Sequence, residues 1–78
     1  MSQPLPMISD EDLHEAYRLA RVDGAIATTL TIMRELGLRD VPSEKQRDAF
    51  TLRMLGAGYV YLQIDDANVW RRREEITR

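Results

Sequence analysis

Apolar residues recur at helical spacing through the first two thirds of the chain and switch to strict alternation in the last third. Leu13, Ala16, Tyr17 and Ala20 fall on one stripe, which predicts a first helix from about Asp10 to Val22. Ser9 stands at its N-cap. Asp10, Glu11 and Asp12 fill the first turn, where carboxylates suit the positive end of the helix dipole. Ile8 is placed to staple onto Leu13. Asp23-Gly24 signals a turn. A second stripe, Ile26, Leu30 and Met33 widened by Ile32 and Leu36, predicts a second helix from about Ala25 to Leu36. Thr28, Thr29 and Thr31 lower its intrinsic propensity, so tertiary packing has to support it. Leu36-Gly37-Leu38 is a helix stop, with Gly37 just past the end and Leu38 folding back onto the last turn.

Ser43-Glu44-Lys45-Gln46 has the form of a capping box and predicts a third helix running to about Leu55. Its apolar residues divide between two sides, Ala49, Leu52 and Leu55 on one, Phe50 and Met54 on the other. A helix apolar on two faces is buried on both or contributes to an interface. Gly56 and Gly58 make its continuation costly, by about 1 kcal/mol each against Ala. Val60, Leu62 and Ile64 then alternate with Tyr59, Tyr61 and Gln63. That is a strand pattern, with the aliphatic set expected to face the helices. Asp65 to Asn68 is turn chemistry, and Val69 to Arg73 is the return strand of a hairpin. A single helix from about Gly58 to Ile76 competes with this hairpin and would make the chain an all-α bundle. The preferred fold class is α+β and mainly helical, three helices followed by a C-terminal hairpin. Residues 1–8 are expected to form an extended arm and residues 9–78 one small domain.

Composition narrows the partners. The chain has 78 residues and no Cys, so no disulfide or thiolate metal site supports so small a domain. Oligomerisation is the most available source of further burial, and a homodimer is expected. With 11 Lys+Arg against 13 Asp+Glu the net charge is −2, which excludes nucleic-acid binding by bulk charge alone. Ten of those basic residues are Arg, either a taste for bidentate contacts or a genomic bias. No apolar run is long enough to span a membrane, and residues 1–6 lack the regions of a signal peptide, so a cytoplasmic protein is expected.

The run Glu35-Leu36-Gly37-Leu38, a capped helix, and then Leu55-Gly56-Ala57-Gly58-Tyr59-Val60 resembles winged helix-turn-helix DNA-binding regulators over about Ala25 to Arg73. In that family a leucine-glycine turn separates the two motif helices, and a small-residue junction leads from the recognition helix into the wing. The connection from Gly37 to Ser43 is longer than the family's turn, and Met33 stands where the family has a small residue. The resemblance implies a regulator of transcription that binds double-stranded DNA. Ser43, Lys45, Gln46 and Arg47 would enter the major groove, and Arg71, Arg72 and Arg73 would lie on the wing against phosphates. The same residues also fit an ordinary solvated surface, because Glu44 and Asp48 neutralise Lys45 and Arg47 while Glu74 and Glu75 offset the arginine run.

Other chemistry is sparse. His14 is the single His and is expected at the surface; no metal site or cofactor is expected. Asp65-Asp66 fits a turn better than a catalytic pair. With no nucleotide loop and no nucleophile–base set, an enzyme is not expected. Phe50, Met54, Tyr59, Tyr61 and Trp70 with the arginines make an alternative, a protein-binding adaptor or inhibitor of the kind mobile elements carry. Trp70 taken alone fits a core position.

Overall fold

The computed structural model describes residues 7–38 and 40–76. Helix α1 is Asp10–Ala20, α2 is Thr29–Glu35 and α3 is Glu44–Gly56. Strands β1 (Tyr59–Ile64) and β2 (Ala67–Arg72) form an antiparallel hairpin, and one helical turn, α4 (Arg73–Ile76), follows. The chain is therefore α+β and mainly helical, with the hairpin after three helices, an order consistent with winged-helix-like topology. Most of the expected arm, residues 1–6, lies outside the described residues. Of its last two, Met7 is exposed and Ile8 packs against the core.

The caps account for where the helices start. The Ser9 side chain accepts from the Asp12 N–H at 3.1 Å, as expected. Ser43 and Gln46 make the reciprocal box: Gln46 N–H donates to Ser43 Oγ at 3.2 Å, and Ser43 N–H donates to Gln46 Oε1 at 2.9 Å. A second box is not foreshadowed by the hydrophobic pattern. Thr28 and Thr31 cap α2 in the same way, so this helix begins at Thr29 rather than Ala25. The threonines that looked like poor helix formers are its start signal. The later start changes which residues face inward. Ile32 and Met33 enter the core, whereas Ile26 and Leu30 are half exposed. The stop at Gly37 is as expected: its φ is +87°, and Leu38 N–H donates back to Met33 O at 2.9 Å. Helix α1 ends two residues early because Asp23 and Gly24 both take left-handed φ inside a 3-10 turn, Val22–Gly24.

The hairpin turns in two residues, Asp65 and Asp66, at φ +50° and +65°. Positive φ at both is the demand of a type I′ turn, and a short polar side chain tolerates it. Ala67 and Asn68, expected in the turn, belong to β2. Tyr59 pairs with Arg72, Tyr61 with Trp70 and Gln63 with Asn68, so these six share one face. That face meets the helices. Tyr59 and Trp70 are fully buried with Leu13, Tyr17, Ile32, Phe50 and Met54. The facing expected for β1 is therefore reversed: Val60, Leu62 and Ile64 lie on the outer face. Aromatic area explains it, since Tyr59 and Trp70 bury more apolar surface than the aliphatic set and both find a partner for their polar atom. Trp70 also anchors the segment before α2. Its N–H donates to Ala27 O at 2.7 Å, and its indole Nε1–H donates to Thr29 Oγ1 at 3.0 Å.

Candidate nucleic-acid interface

Helix α3 presents its N-terminal turn to solvent, with Glu44, Lys45, Arg47 and Asp48 all exposed. Ser43 and Gln46 are engaged in the capping box, where they hold the helix start rather than project from it. Lys45, Asp48 and Leu52 follow one another along the outward face, and Leu52 is 71% exposed. Phe50 and Met54 point the other way and are wholly buried. The two apolar sides of this helix are thus a core side and a solvent side, and the solvent side is the Leu52 and Leu55 side.

The other aromatic candidates divide likewise. Tyr59 and Trp70 are enclosed, while Tyr61, its ring tilted against Trp70 at 4.6 Å between centroids, is 43% exposed. They do not form a common surface patch. The arginine run also splits. Arg71 lies on the outer hairpin face, half-buried. Arg72 lies on the inner face and pairs with Glu74 at 3.0 Å. Arg73 opens α4, exposed, with its N–H donating to Gly58 O at 2.9 Å. Alternation along a strand separates neighbours onto opposite faces, so three consecutive arginines do not make one patch.

A groove of about 420 Å³ lies between the start of α2, the flank of α3 and the inner face of the hairpin. Thr28, Thr29, Leu30, Arg47, Thr51, Tyr61 and Asn68 line it. No carboxylate is among them, and Arg47 is the one charge. Thr29 accepts from Trp70, which leaves its hydroxyl proton to donate. Hydroxyls, an amide and a guanidinium converge here.

A second, open cleft of about 900 Å³ lies against α1 and has the opposite character. Glu11, Asp12, Glu15 and Glu75 line it with Arg18, Arg21, Arg72 and His14. His14 Nδ1 is 2.5 Å from the Tyr59 hydroxyl. The Tyr17 hydroxyl lies 3.3 Å from Glu75 and accepts from Arg21 at 2.9 Å, and Arg21 pairs with Glu75 at 3.0 Å. Burial pushes the Tyr59 phenol up to about 12, against the pull of the nearby Arg72 charge. Burial likewise raises Tyr17. The bond from Arg18 holds Glu15 below the usual carboxylate range. His14, expected on the surface, is half-buried and tied to the core. His14, Tyr17 and Arg18 on α1 and Arg21 at its C-cap keep helical spacing, which is the signal that marks the cluster in the sequence. Arg18 pairs with Glu15 and Arg21 with Glu75, and the second pair ties the end of α1 to the C-terminal turn. Among the described residues no group of His, Asp and Glu is placed to hold a metal, and no helix is long and apolar enough to cross a membrane.

No known protein family, curated protein or solved structure matches the chain.

Proposed function

We propose that the chain is a small regulatory protein that binds double-stranded DNA. The observation that carries this reading is the groove between α3 and the hairpin. In a chain with 13 acidic residues it is lined by donors and one guanidinium, without a carboxylate. Backbone phosphate is the ligand such a surface fits: Arg47 supplies the charge, and the threonine, tyrosine and asparagine side chains supply neutral donors. With phosphate seated there, the outward face of α3 lies toward the bases. Lys45 then suits a guanine edge, Asp48 a cytosine amino group and Leu52 a thymine methyl. Ser43 and Gln46 keep the helix start in shape, and Arg71 and Arg72 stand apart from the contact.

Few cations contribute, so the salt dependence is shallow for a DNA-binding protein. With one or two phosphates neutralised per chain, the slope of log K against log salt is about −1 to −2. Fluorescence anisotropy on a labelled duplex tests the reading. Arg47→Glu is expected to lower affinity by at least about tenfold, while Arg18→Glu, the same change of net charge in the carboxylate-lined cleft, leaves it nearly unchanged. Absence of binding to any duplex at low salt, or equal losses from the two variants, removes it.

The exposure of Leu52 favours a second reading, an adaptor that docks a protein partner on the Leu52 and Leu55 side of α3. Leu55→Glu, on the same side of α3 but at a position given no base contact, separates the two. It abolishes capture of a stoichiometric protein partner if the second holds, and DNA binding survives if the first holds.

A further inference from the structure

The hydrogen-bond pattern of the hairpin leaves one edge unpaired. Arg73 N–H donates to Gly58 O, which sets the alternation along the ladder. Val60 with Arg71, Leu62 with Val69 and Ile64 with Ala67 are then the pairs that exchange backbone bonds between the strands. The intervening residues point their N–H and C=O groups outward. On β2 that outer edge is partly used, by Trp70 against Ala27. On β1 the outward groups belong to Tyr59, Tyr61 and Gln63, and no backbone group among the described residues bonds to them.

An edge strand is normally protected by a charge, a proline, a bulge or a covering element. Strand β1, Tyr59-Val60-Tyr61-Leu62-Gln63-Ile64, has no charged residue and no proline, and its register with β2 is unbroken. Its side chains are aromatic and β-branched or otherwise uncharged, the types that favour pairing. The outer face adds to this. Val60, Leu62, Ile64 and Ala67 make its accessible part apolar, Val69 being buried and Arg71 its one charge, and Ile64 is 42% exposed.

We propose that two copies of this chain associate through β1, edge to edge and antiparallel, forming a continuous sheet in the order β2, β1, β1, β2. The strand is complementary to itself. With a two-fold axis at Tyr61, that residue exchanges both backbone bonds with Tyr61 of the second copy. Val60 of each copy then faces Leu62 of the other on the outer side, apolar against apolar. No like charges meet in any two-fold register, because β1 carries none. The joined sheet doubles the width of the outer apolar face. The dimer does not depend on the Phe50 and Met54 side of α3, which the chain's own core occupies, and it stands independently of the DNA reading.

The full chain, followed by sedimentation over a range of concentrations, tests this. The wild-type chain is expected to show a monomer–dimer equilibrium. Gln63→Pro deletes an outward N–H from each copy without touching the ladder to β2, and is expected to weaken the dimer by roughly tenfold or more. Its circular dichroism should remain that of the wild type. A second variant holds if that one misfolds. In a Cys-free chain, Tyr61→Cys can form a disulfide only with another copy. A hydrogen-bonded antiparallel pair places the two Cα atoms about 5.5 Å apart, within disulfide range. Mild oxidation is expected to cross-link Tyr61→Cys but not Arg18→Cys, which lies on α1. A wild-type chain that stays monomeric throughout overturns the proposal, as does a dimer unchanged by Gln63→Pro, or equal cross-linking of the two cysteine variants.

Discussion

The outer face of the hairpin carries more apolar residues than the inner one, yet it is the inner face that the helices cover. The inner face carries Tyr59, Trp70 and Tyr61; the first two are fully buried, and each has a hydrogen-bond partner for its polar atom, His14 for Tyr59 and Thr29 for Trp70. The outer face carries Val60, Leu62 and Ile64 and stays half exposed, except at Val69. Apolar character alone does not choose between them. What chooses is that the aromatic side chains bury more area per position, and that the helices offer acceptors and donors where the rings end. The difference yields graded expectations for substitutions on the two faces.

The largest effect is expected at Trp70. Truncation to Ala removes a wholly buried indole at the meeting point of hairpin, α2 and α3, and costs about 3–5 kcal/mol. That is comparable to the whole stability of many domains this small. Trp70→Ala should therefore be largely unfolded by circular dichroism at room temperature. A cooperative melt within a few degrees of the wild type would mean that the inner face is not the core.

The local signals that set element boundaries were legible in the residues. Ser9, the Ser43 and Gln46 box, and the Gly37 stop with Leu38 folding back all act within one turn of chain, so a short window contains both partners. The hairpin was legible from its alternation. Its facing was not, because both alternating sets are apolar and the choice depends on what α1 and α3 bring to meet them. The start of α2 is not legible from propensity, because Thr28 and Thr31 are weak helix residues by type and a cap only by position. The arginine run reads as a patch along the chain, but the strand puts Arg71 and Arg72 on opposite faces. The donor groove was not legible at all, since Thr28, Thr51, Tyr61 and Asn68 converge only through the tertiary fold.

A smaller effect separates the faces by pH. The Tyr59 phenol is raised by burial to about 12, and in the unfolded chain it returns to its ordinary value near 10. A folded-state value above the unfolded one means that the stability is fully present below pH ~10 and declines as pH rises toward ~12. The loss is on the order of 2 kcal/mol. Tyr17, also raised, adds in the same direction. Denaturant melts across this range should show the decline in the wild type. Tyr59→Phe should lose about 1 kcal/mol at neutral pH, from the bond to His14, and flatten much of the alkaline step. An unchanged step in that variant would place the titrating phenol elsewhere.

The smallest effect belongs to the outer face, and it sharpens the comparison most. Ile64→Thr keeps the β-branch and the strand propensity while removing exposed apolar surface. In an isolated chain it should change stability by no more than about 0.5 kcal/mol. A dimer joined through β1 alters that expectation in a specific way. Ile64 sits at the end of the strand that pairs, so its loss would then weaken association as well as folding. The melting temperature of the wild type would rise with protein concentration, and that of Ile64→Thr would rise less. Equal melts at low concentration that separate at high concentration locate the cost in the contact between copies. Melts that differ equally at every concentration locate it within the single chain, where Ile64 would have to be better packed than its exposure allows.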